Sequence, residues 1–297
     1  MKIKTTTISL TNQCNFNCIH CSVNAGEKIK KELNFSEVKN ILNQLKKLKV
    51  KEIELTGGEP LLRKDLLLII KYSKKLEFKV KILTNGSLLS KDKINQFRKI
   101  GLDKIAISLD GYDYQTYKKI RPVTRTIFLK VLKNIKLVAN SGIFIKINTV
   151  VMKGNINNLQ KIVYFCEKYK IKELRICYFS KVGRGEDLNE TIDPKEWVDF
   201  IKKLKNKDIK IYLGFSHANF KSSCMLLKEI PLYISSNGNI HLCPRLKSIG
   251  NIRRFQLKDV LKNISNKEEF CFSKNNPILE NFYPVCPLRK FKFEDIK

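Results

Sequence analysis

Along the first two thirds of the chain, short apolar runs alternate with stretches whose apolar residues recur every three or four positions. The first kind of spacing predicts strands buried on both faces, the second amphipathic helices. Thr5–Leu10 reads as a first strand. Val38, Ile41, Leu42, Leu45 and Leu48 then mark one face of a helix over Val38–Lys49, with Ser36 as its expected N-cap. Strands follow at Glu52–Leu55, Lys79–Leu83, Lys104–Ser108, Ile143–Val151 and Glu173–Tyr178. Helices are expected over Asp65–Lys75, Lys91–Ile100, Ile127–Asn140 and Leu159–Tyr169, and one starts near Pro194. Gly101 and Gly142 close two of them.

Six strand–helix alternations predict an α/β fold with a parallel sheet covered by helices. Nearly every polar motif falls just after a strand, and in parallel α/β architectures those positions share one rim. Past Ile201 the alternation fades. Leu232–Ser235, Asn237-Gly238 and Ile240–Leu242 read as a β-hairpin, with a helix to follow at Leu257–Ile264.

The first rim segment, TNQCNFNCIHCS at Thr11–Ser22, carries Cys14, Cys18 and Cys21 within eight residues. Three thiolates on one short loop can converge on a metal centre but cannot pair evenly as disulfides. Zinc and iron–sulfur clusters both suit soft thiolates. Structural zinc closes with four ligands, and no fourth Cys or His of suitable spacing lies nearby, His20 being locked beside Cys21. An odd set of three suggests a cluster with one iron free of protein ligands.

The C-x3-C-x2-C spacing, with His20 at the aromatic-type position before the last Cys, resembles the signature of the radical S-adenosylmethionine (SAM) enzymes. The resemblance covers roughly residues 1–215 and implies a partial (β/α)6 TIM-like barrel. It also implies a [4Fe–4S] cluster on the three cysteines, whose open iron takes the amino and carboxylate groups of SAM. Reductive cleavage of SAM would give a 5′-deoxyadenosyl radical that removes a hydrogen atom from substrate. Thr56-Gly57-Gly58-Glu59-Pro60 is similar to the family's GGEP motif. Its glycines would let backbone approach SAM, with Glu59 helping to hold the ammonium. Ser108 and Asp110, in SLDG, would line the ribose and methionine end, and Arg121 would meet the SAM carboxylate. Asn148, a polar interruption of the fifth strand, and Arg184, in VGRG, would bond ribose or carboxylate. Surface ion pairs are the alternative for Arg121 and Arg184, and a plain turn for Thr84 and Asn85.

The order Cys224, Gly238, Cys243 in the last block resembles the SPASM or shorter twitch extension, which carries auxiliary [4Fe–4S] clusters. Cys286-Pro287 matches the end of that pattern, but Tyr283 stands where a cysteine is expected. Cys224, Cys243 and Cys286 then fit one auxiliary cluster rather than two, either closed by Cys271 as a fourth ligand or left with an open iron that could bind substrate. This gives a domain over 1–215 and a small α+β domain over 216–297. A zinc ribbon is the alternative for the second. Cys166 and Cys177 have apolar neighbours and read as core.

Composition narrows the setting. Nine cysteines behind an N-terminus with no export signal point to a reducing cytoplasm, and no apolar run is long enough for a membrane span. The net charge of +30 comes mostly from scattered lysines, a pattern of solvated surface rather than a nucleic-acid groove. A cluster-bearing nucleic-acid regulator would explain charge and cysteines but not GGEP and SLDG on one rim. The resemblance implies an electron donor such as flavodoxin or ferredoxin. It favours a ribosomally made peptide or protein as substrate, with a small molecule such as a cofactor precursor, carbohydrate or nucleotide as the alternative. The cysteine loop starts too early for a preceding peptide-recognition domain, so in the first case a leader peptide would dock on the basic surface or use a separate leader-peptide-binding protein.

Overall fold

Alternation along the strands decides which side of the sheet is covered. The computed structural model describes residues 3–205, 208–214, 232–242 and 247–262. Strands β1 (Thr5–Ser9), β2 (Glu52–Thr56), β3 (Lys79–Thr84), β4 (Lys104–Ser108), β5 (Phe144–Val151), β6 (Glu173–Tyr178) and β7 (Lys210–Gly214) pair in that order, all parallel. Sequential order with right-handed crossovers puts every connecting helix on one face. That face is the apolar one: Ile53, Leu55, Ile82, Ile107, Ile147 and Ile176 are fully buried beneath the helices. The opposite, concave face carries the alternate positions, among them Thr7, Glu54, Lys81, Lys146 and Glu173. This is the α/β fold of a partial barrel, with a mostly parallel sheet.

The helices are α1 (Phe35–Lys47), α2 (Leu66–Lys75), α3 (Lys91–Lys99), α4 (Tyr114–Ile120), α5 (Arg125–Ala139), α6 (Leu159–Lys168), α7 (Pro194–Lys203) and α8 (Leu257–Lys262). Asn34, not Ser36, caps α1, accepting from the Glu37 N–H at 3.0 Å while the Glu37 carboxylate accepts from the Asn34 N–H at 2.8 Å. A reciprocal box satisfies two orphan donors where Ser36 would satisfy one. Helix α4 and strand β7 were not expected. The first is a single short helix capped by Asp113, and the second is a half-exposed edge with weak alternation.

The predicted hairpin forms as β8 (Leu232–Ile234) and β9 (Asn239–His241), turning at Gly238 with φ +86°. It does not stand apart from the barrel. Strand β8 pairs in parallel with β1, and β9 and β10 (Gly250–Asn251) add antiparallel, giving one ten-stranded sheet in the order β10-β9-β8-β1-β2-β3-β4-β5-β6-β7. Cys166 is fully buried, as expected of a core thiol. Cys177 is only half-buried, because it occupies an alternate position on the concave face of β6. Cys224, Cys243, Cys271 and Cys286 lie outside the described residues. Among the described residues, no helix is long and apolar enough to cross a membrane.

Candidate functional site

The cysteine loop leaves the C-terminal end of β1 and is pinned by its neighbours' backbones. The Gly58 N–H donates to the Thr11 carbonyl and the Glu59 N–H to the Gln13 carbonyl, both at 2.8 Å. The Cys14 N–H donates to the Gly26 carbonyl at 2.7 Å, closing the loop on itself. Glu32 holds its base, accepting from the Asn12 N–H at 2.7 Å and the Thr11 hydroxyl at 3.0 Å. The contact with β2 explains two glycines. A Cβ on Gly57 would fall on the Thr11 carbonyl oxygen and one on Gly58 on that of Gln13, and Gly57 adopts φ +146°. The missing side chains thus let the cysteine loop lie directly against this backbone.

Glu59 joins the same network. It is fully buried, and its oxygens accept from the Leu61 N–H at 3.0 Å, the Thr84 hydroxyl at 2.7 Å and the Asn85 N–H at 2.8 Å. Burial pushes its pKa up while these three donors oppose the shift. With both oxygens engaged, the side chain ties the second rim loop to the third. Thr84 and Asn85 are more than a turn, since the Asn85 amide donates to the Asn15 side chain at 2.9 Å, tying the third rim loop to the cysteine loop.

Each cysteine sulfur of the triad accepts one N–H. Cys14 Sγ takes that of Phe16 at 3.4 Å and Cys21 Sγ that of Ala25 at 3.3 Å. Cys18 Sγ takes a guanidinium N–H of Arg121 at 3.3 Å. Burial pushes the free Cys14 thiol up to about 11 and raises Cys18 as well, with Arg121 opposing the latter. Thiols so placed need a positive centre to become thiolates. Among the described residues, no three His, Cys, Asp or Glu side chains close around a single ion.

Arg121 is not a surface residue but is 7% exposed. Its Nε donates to Asp110 Oδ2 at 2.6 Å, and Nη2 lies 3.5 Å from His20 Nε2. Asp110 is fully buried and also accepts from the Val150 N–H at 2.8 Å. Its carboxylate thus links the fourth rim loop to Arg121 and to the fifth strand. Burial lowers the His20 pKa to about 4, against the pull of Asp110, so the ring is neutral. Arg184 is likewise no surface ion pair. It donates to the Cys18 carbonyl at 2.9 Å and the Ala25 carbonyl at 2.5 Å, and its N–H donates to the Cys21 carbonyl at 3.0 Å. This clamps the cysteine loop from the far side of the barrel.

Ser108 and Asn148 are register partners on the concave face of β4 and β5, level with Arg175 on β6. Asn148 Oδ1 and His20 Nδ1 are buried polar atoms without a protein partner, an arrangement that calls for a ligand or water. Below them lies a charged floor. Lys81 pairs with Glu54, while Glu173 faces Lys104 at 2.9 Å and Lys146 at 3.8 Å. The Lys146 ammonium also sits 4.4 Å over the Tyr212 ring. Burial, then Lys81 and Arg175, press its pKa down to about 8. Lysines 81, 104 and 146 with Arg175 outnumber Glu54 and Glu173, so the floor is cationic. Tyr233, from β8, sits 9% exposed with its hydroxyl bonded to Ser9 and within the field of Cys21. Sequence reading passed over these floor residues, although their every-second-residue spacing within strands was visible.

Three sulfurs each meeting one N–H, beside two orphaned buried polar atoms on one rim, are a donor set that fits a three-cysteine cluster with a small polar ligand next to it. Comparison with known proteins agrees. The radical SAM superfamily model matches residues 8–166. A probable GTP 3′,8-cyclase of Sulfurisphaera tokodaii is 32% identical over 71% of this chain and 66% of its own length. The chain thus spans just under two thirds of that relative. In fold, the chain resembles Streptococcus suis SuiB bound to S-adenosylmethionine, with TM-score 0.77 and 18% identity over 90% of this chain and 67% of that one. The same protein bound to its precursor peptide SuiA gives TM-score 0.73 and 20% identity, covering 87% of this chain and 64% of that one.

Proposed function

The chain belongs to the radical SAM superfamily of enzymes, which use a [4Fe–4S] cluster and SAM, and from that premise we propose that it acts on a nucleotide-like small molecule rather than a peptide. Kinship in sequence carries this reading: the 32% identity is to a probable nucleotide cyclase, whereas the peptide-bound neighbour is alike in fold at 20%. The cationic floor supports it, since Lys81, Lys104, Lys146 and Arg175 suit an anionic substrate better than a neutral peptide backbone. The weight thereby moves from the peptide to the small molecule.

Cys14, Cys18 and Cys21 hold the cluster in this reading. When bound, the cluster and SAM supply the 5′-deoxyadenosyl radical that abstracts a substrate hydrogen. The chain's own residues do the rest. Gly57, Gly58, Glu59 and Arg184 fix the cysteine loop, and Ser108, Asn148 and His20 line the space where SAM's polar groups fall. The concave face keeps water out and presents the substrate's C–H bond. The C-terminal cysteines Cys224, Cys243, Cys271 and Cys286 hold an auxiliary [4Fe–4S] cluster in a SPASM- or twitch-like domain over 216–297. Support for this comes from the hairpin between Cys224 and Cys243, which joins the sheet beside the strand that bears the cysteine loop. A flavodoxin or ferredoxin delivers the electron, in a reducing cytoplasm that keeps the thiols free.

The test is anaerobic reconstitution of the full chain with a chemical reductant, SAM and a panel of nucleotides, against peptides encoded beside it. A nucleotide should raise 5′-deoxyadenosine formation above the substrate-free level and itself be converted. Peptide modification with no response to any nucleotide would overturn the proposal.

A further inference from the structure

The three cysteine sulfurs are not equivalent. Cys14 and Cys21 accept from main-chain N–H groups a few residues away on their own loop. Cys18, the most buried of the three at 8% exposure, accepts from a guanidinium that reaches in from the end of α4. That guanidinium cannot swing away. Its Nε is held by Asp110 at 2.6 Å, and Asp110 is anchored in turn by the Val150 N–H at 2.8 Å. His20 closes a third side, and Arg184 fixes the Cys18 carbonyl at 2.9 Å from the opposite direction. A planar fork is needed to span carboxylate and sulfur at once, which a lysine cannot do.

We propose that Arg121 is a positioning residue that fixes the Cys18 sulfur and raises the reduction potential of the cluster borne by the cysteine loop. It rests on the assignment of Cys14, Cys18 and Cys21 as the ligands of that cluster. The physical basis is charge. Reduction adds one electron, supplied by the external donor, to a centre already surrounded by thiolates. A cation hydrogen-bonded to one sulfur stabilises that added charge, strongly so where water is excluded. Asp110 opposes the effect, but it is bonded to Nε, while the Cys18 sulfur is met directly by Nη1, so the cation lies between the carboxylate and the sulfur. The arrangement also makes the iron at Cys18 electronically distinct from those at Cys14 and Cys21. This role differs from pairing with the SAM carboxylate, because it operates before SAM binds.

The experiment is an EPR-monitored redox titration of the reconstituted full chain without SAM, the relevant signal being the one lost in Cys14→Ala. Arg121→Gln should shift its midpoint to more negative potential with iron per chain unchanged, and Arg121→Lys should shift it by less. Should Arg121→Gln fail to retain iron, Arg121→Lys is read on the same criterion. A midpoint identical to that of the parent protein would overturn the inference, and a loss of SAM affinity alone would reassign Arg121 to the SAM carboxylate. Absence of any such signal from the parent protein would instead undo the ligand assignment beneath it, a result visible before a variant is made.

Discussion

Around the cysteine loop, several polar side chains at the rim are spent on backbone. Glu59 serves Leu61 and Asn85, Arg184 serves Cys18 and Ala25, and Glu32 serves Asn12. On the floor, nearer the strands' beginnings, polar side chains face one another: Lys81 with Glu54, and Lys104 and Lys146 with Glu173. A group bonded to backbone fixes the path of the chain, and its loss is felt as shape. A group bonded to another side chain sets local charge and can exchange that partner for a ligand. In the proposed reading, the rim governs whether the chemistry can occur, and the floor governs on what.

The strongest way to break this contrast is at the rim's sulfurs. Cys18→Ala should reduce SAM cleavage to background and lower iron per chain, measured after anaerobic reconstitution. Next is Glu59→Ala, which strands two buried N–H groups and a hydroxyl. It should cost about 3 kcal/mol of stability, read by denaturant unfolding. A loss near zero would mean that Glu59 is not the rim's organiser.

On the floor the effects should be smaller and of another kind. Lys146→Met should raise KM for a nucleotide substrate about tenfold, some 1.4 kcal/mol, with kcat nearly unchanged. The smallest effect is with pH. With its pKa pressed down to about 8 by burial and by Lys81 and Arg175, Lys146 loses its charge as pH rises through that value. KM should climb a few-fold between about pH 7 and pH 9 in the parent protein and stay flat in Lys146→Met. Stability should move the other way. The unfolded lysine still binds a proton between about pH 8 and its ordinary 10.5, so this group's contribution to stability rises over that window. A shared decline of affinity and stability would show that the floor is structural only.

Much of this was legible in the chain because the signals are contiguous. The strand–helix alternation, the cysteine spacing, TGGEP and SLDG each occupy a few adjacent residues. What those side chains bond to was not legible, because their partners are remote. Glu59 meets Thr84 25 positions away and Arg184 meets Cys18 166 positions away. The contacts of Arg121 with Cys18 and of Asp110 with Val150 were hidden for the same reason, since nothing near them in sequence announces those partners. The floor lysines were visible but merged with a surplus of surface lysine, since charge alone does not say which face of a strand a residue occupies. Asn34 displaced Ser36 as a cap because Glu37 sits three residues after Asn34 and only one after Ser36.

The strand that carries the cysteine loop has neighbours on both flanks, β2 on one side and β8 on the other. The two flanks arrive at very different times during synthesis. β2 is made within the first sixty residues, whereas β8 ends at Ile234. Until the ribosome has passed that point, Thr5–Ser9 presents an unpaired edge to the cell. A transcript cut short after the barrel would therefore yield a protein with all three loop cysteines and a sticky flank. The last quarter of the chain seals the first.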